Sequence, residues 1–147
     1  MEKLPKVLEY SAQGFNCSQV LLLLGLELQG KENPELISAV QSLGGGIGFS
    51  GLNCGALTGG ACLLGLFAGR NESAIEEDER LQLMLIDLVD WFKEQIVQKY
   101  GGVDCADILE GNRANYTLRC VEIIEVVFQK CKELLVDYGY NIDGCDE

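Results

Sequence analysis

Between Glu35 and Arg70 the chain carries no charged residue at all, and this uncharged middle is rich in glycine. Residues 1–35 hold five acids and three bases, and residues 70–147 hold eighteen and eight. A segment so poor in charge has to be covered by the rest of the chain, so the middle is expected inside and the acidic flanks around it. At 147 residues the chain suits one domain, spanning 1–147, and buries about 70% of its unfolded surface without disulfide staples.

A helical period recurs along the sequence and no alternating strand pattern does. The expected fold is therefore all-α, a compact bundle of five to six helices around a Gly-rich central helix. Leu4 to Ala12 reads as a short first helix. Asn16 is an N-cap for a second, which runs to about Leu28 and ends at Gly30. Asn33-Pro34 opens a third that dissolves in Gly44-Gly45-Gly46. Asn53 is expected to cap the fourth, from Cys54 to about Ala68. Its interior glycines, Gly55, Gly59, Gly60 and Gly65, each cost up to ~1 kcal/mol relative to Ala. Gly51, Gly55 and Gly59 recur every four residues, as do Gly65 and Gly69, so a neighbouring backbone, a cofactor or a second copy in a homodimer can come close. The uncharged stretch 52–69 is short for a membrane span and polar in places, so helix packing is the expected use. Ser73-Ala74-Ile75-Glu76 has the form of a capping box for a long helix to about Tyr100. Leu81, Leu85, Leu88, Phe92 and Ile96 are its buried stripe, with Met84 and Trp91 beside it. Asp104 to Glu110 suits a short helix, and about 115 to 138 a last long one built on Val121, Ile124, Phe128, Cys131, Leu135 and Tyr138. The tail from Tyr140 to Glu147 is expected to fray.

Composition removes several classes of chemistry. The chain has no His, which excludes Ser-His-Asp and Cys-His nucleophile systems, zincin helices and C-x-x-C-H haem attachment. A net charge of -12 repels phosphate backbones and anionic lipid, so neither nucleic acid nor a membrane surface is an expected partner. Gly46-Ile47-Gly48-Phe49-Ser50-Gly51 spells G-x-G-x-x-G, yet no strand precedes it and no ribose-binding acid follows at the right distance, so no nucleotide is expected. The bland reading of these glycines is a flexible connection to Cys54. The start of the sequence has no secretory pattern, which points to the cytoplasm. In that compartment, seven cysteines suggest metal or redox chemistry before structural disulfides.

Three cysteines directly follow a capping residue: Asn16-Cys17, Asn53-Cys54 and Asp104-Cys105. In a helix's first turn the positive end of the dipole favours a thiolate. Arg119 would lower the pKa of Cys120, whereas Asp104 and Asp107 would raise that of Cys105; the sequence leaves this competition open. Cys62 and Cys131 read as core packing, and Cys145 as an exposed thiol. No two cysteines form a C-x-x-C pair, so a shared site has to be assembled by tertiary structure.

The string Cys54-Gly55-Ala56-Leu57-Thr58-Gly59, with an earlier cysteine and two later ones, resembles the C_GCAxxG_C_C family of redox-active proteins. By order, Cys17 matches its first cysteine, Cys54 the one in its central motif, and Cys105 and Cys120 its last two. Cys62, Cys131 and Cys145 are extra. Similar domains occur in split-Soret cytochromes, so the resemblance implies electron transfer and an iron-sulfur site; the haem-ligating segment of those proteins is missing, and no haem is expected. The leading expectation is a site in which Cys17, Cys54, Cys105 and Cys120 hold an iron-sulfur cluster or another thiophilic metal and carry the redox chemistry, with Gly55 and Gly59 leaving room for the cofactor. The first alternative is metal-free thiol-disulfide exchange led by Cys54. The second is a non-catalytic helical adaptor or dimerisation module. The redox partner and substrate stay open.

Overall fold

The computed structural model describes residues 3–70, 72, 73, 76–110, 112, 115 and 119–142. These form seven right-handed helices and no strand: α1 (Lys3–Ala12), α2 (Cys17–Gln29), α3 (Pro34–Val40), α4 (Gly55–Ala68), α5 (Glu79–Tyr100), α6 (Cys105–Leu109) and α7 (Val121–Asp137). The all-α expectation holds, with one helix more than the upper bound expected. No described helix is long and apolar enough to cross a membrane.

Local chemistry sets most of the helix ends. Asn16 Oδ1 accepts the Gln19 N–H at 3.1 Å, and Gln19 Oε1 accepts the Asn16 N–H at 3.1 Å, so both ends of a capping box are closed at the start of α2. Gly30 ends α2 in the left-handed conformation, and Asn33 caps α3 with Pro34 behind it. Asn53 does not cap α4. It lies in an isolated bridge with Asp104, and Cys54 takes the cap position itself. Nor does the Ser73–Glu76 box open α5, and Ala74 and Ile75 lie outside the described residues. The helix begins at Glu79, where Asp78 accepts the Arg80 N–H at 3.0 Å while its carboxylate also holds the Arg80 side chain and the Tyr140 hydroxyl. The Asp78 cap is thus held by the Arg80 backbone, the Arg80 side chain and the distant Tyr140.

α4 is the central helix, packed on α2 along one side and on α5 and α7 along the other. Its glycines divide the work. A Cβ on Gly59 would lie 2.8 Å from the Ser18 Cα, so α2 and α4 meet backbone to backbone; in return Gly25 of α2 leaves space for Leu63, whose Cγ would be 2.9 Å from a Cβ there. Gly60 faces the other way, against Val127, Cys131 and Leu88. Gly65 has nothing near it and Gly69 lies beyond the helix, so the second glycine pair mediates no close approach.

On α5 the fully buried row is Met84, Leu88, Phe92 and Ile96, with Leu81, Leu85 and Trp91 at its margins. The stripe is therefore rotated towards Met84 from the one expected. α7 buries Val121, Ile124, Phe128, Cys131 and Leu135 as expected, with Tyr138 half-buried. Of the tail, Ile142 is buried in the main core and the Tyr140 ring packs edge-on against Phe67, so it does not fray at these positions; residues 143–147 lie outside the described ones.

The glycine run between α3 and α4 is not a loose connection. A short 3-10 turn, Gln41–Leu43, leads into Gly44, after which Gly45, Gly46, Ile47, Gly48 and Phe49 all have φ between 61° and 73°. This is one turn of left-handed helix, closed by Gly51 N–H to Gly45 O at 3.1 Å and Leu52 N–H to Gly46 O at 3.2 Å. Left-handed conformation costs roughly 1–2 kcal/mol for a residue with a Cβ, which explains the glycines and makes Ile47 and Phe49 the strained members.

The two glycine environments on α4 give opposite expectations. Gly59→Ala forces α2 and α4 apart and is expected to lower unfolding stability by about 1–3 kcal/mol. Gly65→Ala meets open space and is expected to raise it by about 0.5–1 kcal/mol. Urea midpoints at constant m-value measure both; equal shifts of the same sign would contradict the packing described.

Candidate functional site: four buried cysteines

Cys17, Cys54, Cys105 and Cys120 come from four separate places in the chain, and tertiary structure brings them to one end of the bundle. Each is nearly closed to solvent. Cys17 is the first residue of α2, placed by the Asn16 cap, while Asn16 Nδ2 donates to Gln41 O at 2.9 Å and buried Gln19 Nε2 to Ile37 O at 3.0 Å. Its Sγ occupies the space that a side chain at position 55 would take, so a Cβ on Gly55 would overlap it. The motif's first glycine thus serves the first cysteine. Gly59, one turn later, has the Ser18 backbone against it.

Cys54 and Cys105 are brought together by a short antiparallel contact. The bridge Asn53–Asp104 is flanked by Cys105 N–H to Leu52 O at 2.7 Å and Ala106 N–H to Gly51 O at 3.1 Å. Asp107 Oδ2 accepts the Asp104 N–H at 3.2 Å and braces the start of α6. Cys120 sits in a π-helical turn just ahead of α7 and forms a small buried cluster with Cys105 and Leu109. Beside it, Arg119 donates to Ile108 O and to the Glu110 carboxylate, both at 2.7 Å, tying the foot of α7 to α6.

Ionisation shows the convergence. Burial first, then Cys17 and, least, Cys105 together push the Cys54 thiol up to about 12, against the opposing Ala56 and Leu57 N–H groups. Burial also raises Cys120, followed by Cys17, Cys54 and Cys105. Cys105 is raised by burial, then by Cys17 and by Asp104. Cys17 therefore acts on all three others. Cys62 and Cys131 are raised by burial alone, and Cys131 Sγ donates to Gly60 O at 3.6 Å within the core. Both lie outside the centre, as their packing role predicts; Cys145 lies outside the described residues.

The expectation that helix ends favour thiolates is overturned for Cys54 and Cys105. A helix terminus is worth about 0.3–1 kcal/mol. Lifting Cys54 from an ordinary value of 9 to about 12 corresponds to roughly 4 kcal/mol in favour of the thiol. Desolvation wins. Arg119 does not lower Cys120, because its guanidinium is directed at Ile108 and Glu110.

Sequence reasoning missed the bridge at Asn53 and Asp104 and the left-handed turn behind Gly55. Three consecutive glycines were the available signal. A Cβ at Gly44 would overlap the Asn16 side chain, one at Gly45 the Phe49 ring and one at Gly46 the Leu52 backbone. Among the described residues, no three Cys, Asp or Glu side chains stand in metal-coordinating geometry.

These thiols have a consequence at high pH. Below pH 9 the Cys54 thiol is protonated in both the folded and the unfolded chain; above it the unfolded chain ionises first, so stability falls until the folded value is reached. Between pH 9 and about 12, Cys54 is expected to remove about 1.4 kcal/mol of stability per pH unit. Urea unfolding across this range, under reductant, is expected to show a shallower slope in Cys54→Ser than in the parent; identical slopes would refute the burial effect.

The sequence was compared with known proteins. No curated protein and no solved structure matches it. A family model described as "Putative redox-active protein (C_GCAxxG_C_C)" matches residues 15–134, a span that holds all four cysteines of the centre. The chain, with its four ordered cysteines and the Cys-Gly-Ala-x-x-Gly string at the head of its central helix, belongs to the C_GCAxxG_C_C family.

Proposed function

We propose that Cys17, Cys54, Cys105 and Cys120 form one sulfur centre that holds an iron-sulfur cluster or another thiophilic metal and serves electron transfer. The observation that carries this reading is that Cys17 stands close enough to Cys54, Cys105 and Cys120 to oppose the ionisation of all three, an effect absent at Cys62 and Cys131. With it go the overlap of the Cys17 sulfur with the Gly55 side-chain position and the buried contact of Cys105 with Cys120. Buried thiols whose ionisation is opposed by desolvation and by a neighbouring sulfur, as at Cys54, Cys105 and Cys120, are poor nucleophiles but a good latent ligand set with Cys17. A cation displaces their protons and turns mutual repulsion into attraction.

The donor set fits such a group in kind and number, since soft thiolates select iron-sulfur clusters, zinc and copper(I). When bound, the group would supply a one-electron couple or, for zinc, a structural tie. The chain's own residues do the rest. The core around α4 and α7 excludes water, Gly55 lets Cys17 lie close to Cys54, and the bridge at Asn53 and Asp104 sets Cys105 beside them. Because no three donors are in coordinating geometry, loading requires the thiols to change rotamer.

That same lack of a ready cage favours one second reading, thiol-disulfide exchange. There Cys54 as thiolate attacks the disulfide of an external partner, one of the other three cysteines resolves the mixed disulfide, and the partner leaves as dithiol with both electrons. The closed position of Cys54 and its pKa near 12 weigh against it.

Anaerobic reconstitution with ferrous iron and sulfide is expected to give a coloured protein with visible charge-transfer absorption. Each of Cys17→Ser, Cys54→Ser, Cys105→Ser and Cys120→Ser is expected to cut bound iron severalfold, and Cys62→Ser to leave it unchanged. A colourless product, with no cobalt(II)-thiolate band on cobalt titration either, sinks the metal reading. A single cysteine reacting rapidly at pH 7 would favour exchange instead.

A further inference from the structure

The left-handed turn and α6 flank a cleft of about 210 Å³ that has Cys105, one of the four cysteines, in its wall. Gly45, Phe49 and Gly51 line one side, and Cys105, Ala106 and Leu109 the other. The larger surface grooves, between α2 and α3 and at the start of α5, contain none of the four sulfurs. We propose that this cleft admits small uncharged molecules to the sulfur centre and that Cys105 is the sulfur they meet.

Size and charge define the class of visitor. A water takes about 30 Å³ of liquid, so the cleft suits a molecule of a few non-hydrogen atoms. Its walls carry no charged side chain and only one side-chain hydroxyl, that of Ser50. The surrounding chain, at -12, repels anions. Neutral reagents are therefore favoured over anionic ones of equal size.

The wall is held in place. Phe49, at φ 63°, lies on Gly45, whose missing Cβ makes room for the ring. The strain of Ile47 and Phe49 is sustained by the backbone bonds within the turn and by the Cys105 N–H to Leu52 O bond at 2.7 Å, which joins turn to α6. On the far side of the turn, the Gly44 Cα and Leu43 O each lie 3.3 Å from where a Cβ of Gly55 would be, beside the Cys17 sulfur. One thickness of backbone thus separates the cleft from Cys17, and only Cys105 faces it from the set of four. The inference rests on the sulfur-centre reading for what the visitor meets, not for the cleft itself.

The test is alkylation of the anaerobic, metal-free protein at pH 9, followed by peptide mass mapping. Iodoacetamide forms an S–CH2 bond at the thiolate, iodide leaves and the thiol proton goes to buffer. Cys105 is expected to react at least tenfold faster than Cys54 and Cys120. Iodoacetate, the same size but anionic, is expected to lose at least threefold at Cys105 relative to its ratio with iodoacetamide on the unfolded chain. Ala106→Leu narrows the cleft and is expected to slow Cys105 about tenfold while cobalt(II) uptake stays unchanged. Phe49→Ala is expected to open Cys105 to a bulky maleimide that the parent excludes. The proposal is overturned if Cys105 reacts no faster than Cys54, if the bulky reagent keeps pace in the parent, or if both variants leave the rates unchanged. Selective labelling of Cys105 without metal uptake would instead defeat the metal reading and leave the cleft standing.

Discussion

The close contact between α2 and α4 is the constraint on which the rest depends. Two helices can approach to this extent only where one of them lacks side chains, and α4 meets the condition with Gly59 against the Ser18 backbone and Gly55 against the Cys17 sulfur. The glycines weaken α4 as an isolated helix by up to ~1 kcal/mol each. Burial against three neighbours offsets that, since α2, α5 and α7 all pack upon it. The same contact that makes the core also delivers the first cysteine to the second.

Around that contact the centre is assembled by backbone rather than by side-chain reach. Asn53 and Asp104 pair as a fragment of antiparallel ladder, and the left-handed turn fills the angle between α3 and α4. Neither is a flexible tether. The turn holds Ile47 and Phe49 in the left-handed conformation and the bridge fixes Asn53 against Asp104, so backbone contacts tie together sulfurs that lie far apart in the sequence.

Electrostatics then sets the state of the centre. Helix termini favour thiolates, as the capping residues before Cys17 and Cys105 suggest, but the effect is small against desolvation at sulfurs this deeply buried. Burial and the nearby Cys17 sulfur hold Cys54, Cys105 and Cys120 towards the protonated form. In the reading proposed above, such a set stays quiet until a cation replaces the protons, which is why burial weighs against a nucleophile and for a ligand set.

The helical period, the caps at Asn16 and Asn33, the stop at Gly30 and the stripe of α7 were all legible in the residues, because each depends on neighbours within about four positions. The family itself was legible too, through the resemblance carried by the Cys-Gly-Ala-x-x-Gly string and the ordered cysteines around it. Local pattern misled where a distant group competed: Asp78 displaced the box at Ser73 because Arg80 and Tyr140 anchor it, and Cys54 rather than Asn53 heads α4 because Asn53 is engaged by Asp104. Convergence of the sulfurs, their protonation and the cleft at Cys105 were decided only in three dimensions. Those properties arise from segments far apart along the chain excluding water together, and no spacing in the sequence encodes that exclusion.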